Sequence, residues 1–287
     1  MKLIDNNISP LPFYDDISFQ NHRKDYAFGN VYPLVSLNNI IPPFQFITIG
    51  TSITSFSTIR LFYFDNPNKY IDITNEMAET GFIGIRFGDS ELWKYPGVFP
   101  INSIKYEGLY YIGMLANNST WLYSDIFSLY NRASDDYLMI EYSNSYNFEV
   151  KYGIIDFSDG FKFRCYLPTQ IGKPEYVFEE ESTERMGYSF IESQVSKKVY
   201  KFSFVAPEYL CDALRIIRLC DNKRIVSKKQ EYILTTFNMK PTWEDQGDLA
   251  SVECSFETDT VIANLGGYKP TSIKNKDFNF DFNSDFK

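Results

Sequence analysis

Turn residues interrupt this chain at short intervals, and most runs between them are short and rich in β-branched or aromatic side chains. That pattern confines the chain to antiparallel β structure, because runs of this length bounded by Gly, Pro, Asn and Asp read as strands. Phe44–Ile49 follows the Pro42-Pro43 pair. Thr58–Phe64 ends at the turn Asp65-Asn66-Pro67-Asn68 and is followed by Tyr70–Thr74. Gly81–Phe87, Gly108–Leu115 and Trp121–Phe127 continue the series, with Asn117-Asn118-Ser119 turning between the last two. Six or seven short strands within about 100 residues predict a β-sandwich of immunoglobulin-like size.

One segment breaks the pattern. Ala206–Asp221 places Leu210, Ala213, Leu214, Ile217 and Cys220 close to a 3.6-residue period, with Asp212, Arg215 and Arg218 outside the apolar stripe. Pro207 suits the first helical position and Glu208 the positive end of the helix dipole. Strand-like runs flank it at 198–205, 231–239 and 250–258, so the helix is expected to pack on a sheet and to serve assembly or packing. Its polar face, Asp212, Arg215 and Arg218, is a candidate interface.

The expected organisation is an extended arm over 1–30, a β-sandwich over 31–132 and a β-domain with the helix over 133–265. A Phe-rich tail over 266–287 completes the chain. The boundary is placed at the polar segment 131–136, after which Tyr137–Tyr142, Val150–Ile155 and Phe161–Leu167 read as strands. Lys173–Gly187 reads as a long exposed loop or hairpin arm, whose Glu179, Glu180 and Glu181 suit a basic partner surface. Trp243–Ala250 reads as a polar hairpin turn, with Trp243 a candidate for docking. Phe278, Phe280, Phe282 and Phe286 alternate with Asn and Asp and cannot bury themselves, so the segment is expected either to be disordered or to add a strand to a sheet edge.

Composition excludes several function classes. The net charge of −9 opposes phosphate tracking, and the basic pairs are short, so no sequence-specific nucleic-acid binding is expected. The 287 residues contain one histidine, His22, and four cysteines with no CxxC pair, which leaves no cofactor or metal site to expect. Cys211 and Cys220 would stand about 13 Å apart along one helix, too far to bridge. All four cysteines are expected to be small buried apolar groups. There is no G-x-S-x-G elbow, no P-loop and no Rossmann spacing. Asp65–Asn68 and Asp156–Asp159 lack calcium-loop spacing and read as turns. Acidic pairs such as Asp15-Asp16, Asp135-Asp136 and Glu244-Asp245 are expected by chance among 37 acids, so no enzyme is expected. Met1–Pro10 lacks a signal-peptide core, and no apolar run reaches the ~18 residues of a membrane helix. Synthesis in the cytoplasm and no membrane span are the expectation.

Several long segments carry a resemblance. They are LPFYDDI (11–17), NHRKDYAFG (21–29), IPPFQFI (41–47), GKPEYVFEEE (172–181), YKFSFVAPEYLCDALR (200–215) and WEDQGDLASVECSFETDT (243–260). With these the chain resembles a family of structural proteins encoded by phages and prophages of Bacteroides-type bacteria. The resemblance implies a tail or neck component of a virion, made in the host cytoplasm, whose partners are its own copies in a ring and other virion proteins. No catalytic residue transfers with it. The strand–helix–strand–strand order at 198–262 is also similar to tail-tube and distal-tail proteins. The rival expectation is a glycan-binding sandwich using Trp93, Trp121, Trp243 or surface tyrosines. A carboxylate-pair glycoside hydrolase is a third, weaker expectation.

Overall fold

The computed structural model describes residues 2–4, 9–17, 35–37, 41–50, 53–79, 81–97, 104, 106–130, 137–185, 187–228, 230–243 and 249–264. Its first strands are β1 (Lys2–Ile4), β2 (Phe13–Tyr14), β3 (Val35–Leu37), β4 (Phe44–Ile49), β5 (Phe56–Tyr63) and β6 (Asn66–Asp72). A short helix, α1 (Thr74–Glu79), precedes β7 (Ile83–Phe87), β8 (Ser90–Tyr95), β9 (Gly108–Ala116), β10 (Thr120–Ser124) and β11 (Phe127–Tyr130). Beyond residue 136 come β12 (Leu138–Ser143), β13 (Phe148–Val150), β14 (Gly153–Ile155), β15 (Phe163–Leu167), β16 (Glu175–Arg185) and β17 (Tyr188–Pro207). Helix α2 (Glu208–Arg215) continues as a 3₁₀ turn over Ile216–Leu219, and β18 (Asn222–Ser227), β19 (Gln230–Ile233), β20 (Thr236–Trp243) and β21 (Leu249–Asn264) follow. The protein is mostly β, with several antiparallel sheets and a sandwich-like core.

Two compact units divide the chain. The larger comprises Met1–Pro174 with Tyr200–Thr258, the smaller Glu175–Val199 with Asp259–Lys287. In the larger unit, one sheet has the order β1-β4-β8-β7 and another β2-β10-β9-β11-β3, with β5 added to β9 and β6 to β5. Aromatic rings from the two sheets meet between them: Phe13 and Phe44 lie 4.7 Å apart by centroid, and Phe56 and Trp93 4.8 Å. Strand β4 is buried on both faces, which explains a near-continuous apolar run where alternation would be expected of a half-solvated strand. Its second face lies under the β13/β14 hairpin, where an added Cβ at Gly153 would stand 3.1 Å from the Ile47 side chain.

That second face is tied to the later part of the chain by polar groups. Gln45 and Lys94 are cross-strand partners on β4 and β8. Gln45 donates through Nε2 to the Asp156 carbonyl and accepts from the Asp156 N–H, while Lys94 pairs with the Asp156 carboxylate. The larger unit therefore includes residues on both sides of 131–136, where the sequence suggested a boundary. Residues 9–13 also belong to this core, with Leu11 and Phe13 buried, whereas the sequence placed them in an extended arm.

Helix α2 is shorter than its sequence period. Pro207 is its N-cap, at φ −71° and ψ 163°, and the α segment ends at Arg215 before tightening into the 3₁₀ turn. Leu210, Ala213, Leu214, Ile217 and Cys220 are all buried, as the period requires. The helix has company in α1, a single turn and a half whose buried residue is Met77. Thr74 opens α1 by donating its N–H and hydroxyl to Asp72 Oδ1, at 3.0 and 2.7 Å. Six residues with one buried position carry too little periodicity to be read from sequence. The run 150–155 resolves into two strands turning at Lys151-Tyr152, and β8, with a buried lysine, had no clear strand signal.

Candidate functional site

The sequence candidates fall on separate elements. On α2, Arg215 Nη1 lies 3.5 Å from Asp212 Oδ1, an i,i+3 pair, with Arg218 and Leu219 exposed beyond it. The helix presents this charged strip because its other side is committed to the core. Tyr142 of β12 donates its hydroxyl to the Ala213 carbonyl at 3.3 Å. The end of the 3₁₀ turn is fastened by Asp221, which accepts from the Ser145 N–H and hydroxyl, and by the Asp221 N–H, which donates to Asn144 Oδ1.

Glu179, Glu180 and Glu181 lie on β16, which pairs with β17 in a long antiparallel ribbon running from Glu175↔Val199 to Arg185↔Tyr188. Strand alternation puts Tyr176, Phe178 and Glu180 on one face and Val177, Glu179 and Glu181 on the other, up to a register shift after Glu181. Glu179 accepts from Lys197 at 2.7 Å, Glu180 from Gln194 at 2.8 Å and Glu181 from Ser193 at 3.1 Å. Tyr176 is 63% exposed and Phe178 73%. In the four-stranded sheet the order is β16-β17-β21-β20, so β16 and β20 are its end strands among the described residues.

Trp243 ends β20 opposite Ala250, half-exposed, at the hairpin the sequence predicts. Phe278, Phe280, Phe282 and Phe286 lie outside the described residues, as do His22, Asp135-Asp136 and Glu244-Asp245. Trp93 is a core residue, its indole N–H donating to Glu91 Oε2 at 3.2 Å, and offers no platform for a ligand. Trp121 sits on the outer face of the sheet formed by β6, β5, β9 and β10, among Phe62, Tyr70, Tyr111 and Tyr123.

The buried acids are engaged structurally. Burial raises the Asp156 carboxyl, but hydrogen bonds from Lys94 and from Ser158 more than offset it and hold the group below the usual carboxylate range. Glu141 on β12 behaves likewise: burial is outweighed by Arg164 at 2.6 Å and Arg224 at 2.9 Å, with Lys162 at 3.5 Å. Both signals were invisible in sequence, since their partners are distant along the chain.

All four cysteines are free and buried. Burial pushes Cys165 and Cys220 up to about 12 and Cys211 up to about 11, and raises Cys254 further with Cys211 and Cys165 beside it. Protonated thiols in that setting are poor nucleophiles and poor metal ligands. Cys211 on α2, Cys254 on β21 and Cys165 on β15 thus mark where helix and sheets meet. Among the described residues no group of three His, Cys, Asp or Glu could hold a metal ion, and no helix is long and apolar enough to cross a membrane.

No protein-family model matches the chain, and no curated protein matches it in sequence.

Proposed function

We propose that this chain is a non-enzymatic structural subunit of a phage virion, in the tail or at the head–tail connector. Copies associate with one another in a ring and dock neighbouring virion proteins, after synthesis in the host cytoplasm. The β16/β17 ribbon is the observation that carries this reading. It displays Tyr176 and Phe178 openly, large apolar side chains side by side on one face of an end strand, as association surfaces do. Among the described residues β16 is an end strand of its sheet, a position suited to strand addition. Ring closure needs two different surfaces on each subunit, because a head-to-tail contact repeats one patch against another. The charged strip of α2 and the β20 edge are available as second surfaces.

The segments at 172–181 and 200–215, which carry the family resemblance, include the start of β16 and the whole of α2. Native mass spectrometry and electron microscopy of the purified chain test the reading. A closed oligomer of defined copy number is expected, and Tyr176→Glu with Phe178→Glu is expected to dissociate it. A strict monomer that is also missing from purified particles overturns the proposal.

A further inference from the structure

The outer face of the β6-β5-β9-β10 sheet is built from an unusual set of side chains. Register puts Asp72, Arg60, Gly113 and Tyr123 in one row across the four strands, and Tyr70, Phe62 and Tyr111 in the next. Gly113 has no side chain, and the space is taken by neighbouring rings: an added Cβ would lie 2.6 Å from Phe62 and 3.3 Å from Tyr123. Phe62 stacks on Tyr111 at 5.1 Å, and Trp121 runs near-parallel to Tyr123 at 6.0 Å. The Arg60 guanidinium sits 4.0 Å from the Tyr70 ring centroid and 5.7 Å from that of Trp121.

Arg60 forms no ion pair or hydrogen bond among the described residues. Its Nε is buried, so the terminal amines are the donors left for something outside. Asp72 stands directly opposite on β6 without bridging it, its Oδ1 accepting from Thr74. Facing strand neighbours lie about 5 Å apart at Cβ. Donor and acceptor are therefore side by side, next to half-exposed rings, with Tyr70 45% exposed.

We propose that this face binds a neutral pyranose unit of a polysaccharide, with its C–H face on Tyr70 and Trp121 and adjacent hydroxyls between Arg60 and Asp72. Aromatic faces are electron-rich and attract the weakly positive C–H groups of a sugar ring. A guanidinium and a carboxylate together satisfy vicinal hydroxyls, one as donor and one as acceptor. The surroundings select against an acidic sugar. Asp72 lies beside Arg60, and Asp16 acts on Tyr123, whose hydroxyl is raised by burial, by Tyr111 and by this acid. A uronate would meet both acids as like charges on a chain of net charge −9. This site is independent of the assembly role, since it involves neither β16, β20 nor α2.

The test is affinity electrophoresis of the full chain through gels containing dextran, mannan, galactan or xylan, with alginate and polygalacturonate as acidic counterparts, followed by a glycan array. Retardation by at least one neutral polysaccharide is expected. Tyr70→Ala, Trp121→Ala, Arg60→Ala and Asp72→Asn should each weaken it by about tenfold, equivalent to 1.4 kcal/mol. Trp243→Ala should leave it unchanged. To guard against variants that fail to fold, 5-fluorotryptophan labelling of the parent should show the Trp121 resonance shifting with sugar while the Trp93 resonance stays fixed. Failure to bind any neutral glycan overturns the proposal. So does binding only to acidic polymers, or undiminished binding by folded Tyr70 and Trp121 variants.

Discussion

Lys94 and Asp156 form an ion pair with both side chains at 2% exposure, joining β8 to the turn that follows β14. Ser158 adds its hydroxyl to both, donating to Asp156 Oδ2 and accepting from Lys94 Nζ, each within 2.9 Å. Taking Lys94 away leaves the Asp156 carboxylate buried without its counter-charge and with only the Ser158 hydrogen bonds, which is far costlier than losing a surface pair. Lys94→Met should destabilise the larger unit by about 3–5 kcal/mol, read from urea unfolding. A loss below about 1 kcal/mol, typical of surface pairs, would mean the pair is solvated in solution.

The same acids set a pH dependence. Asp156 and Glu141 have folded-state values below their unfolded ones. Their contribution is therefore complete above the unfolded values of about 4 and is lost as pH falls through the folded values. The melting temperature should be flat from neutral pH to about 5 and drop below about 4. Asp156→Asn should lower the plateau and flatten the acid drop; an unchanged slope in that variant would assign the acid sensitivity elsewhere.

Leu214 is wholly buried on the core side of α2. Leu214→Asp places a charge there with no partner and should destabilise by several kcal/mol, about 4 or more. Thermal melting by circular dichroism checks it, with parent-like melting contradicting the packing described.

Gly113 is required by its neighbours' rings and not by its backbone angles. Gly113→Val should force Phe62 and Tyr123 aside and cost about 1–3 kcal/mol, with a changed near-ultraviolet aromatic signal. Gly113→Ala should show the same signs at smaller size.

The cysteines should be silent in the native state. With Cys165, Cys211 and Cys220 pushed to about 11 or 12, a thiol reagent at pH 8 should label none of them until denaturant is added, when all four react. Rapid native labelling would show that the helix–sheet junction opens readily.

Much of this was legible in local sequence. Phe44–Ile49 is β4 to the residue, the apolar stripe of 206–221 is the buried side of α2, and Asn117 and Asn118 adopt the positive φ values that their turn demands. Each signal is local: a period, a cap or a turn residue acting within a few positions. The aromatic face was only partly readable, since Trp121 was among several candidate platforms and Trp93, equally plausible in sequence, is a core residue. Which tryptophan faces out depends on strand register, which a list of residues does not contain.

By itself, then, the sequence determined strand-rich architecture, the position of the longer helix and the burial of its stripe. Only the tertiary structure decided that Asp156 closes over Lys94 across some sixty positions, that residues 9–13 enter the core, and that Arg60, Asp72, Tyr70 and Trp121 share one surface. The physical reason is sequence distance. Strand pairing and charge burial are settled by groups far apart along the chain, and their energies exist only once the fold has brought them into contact.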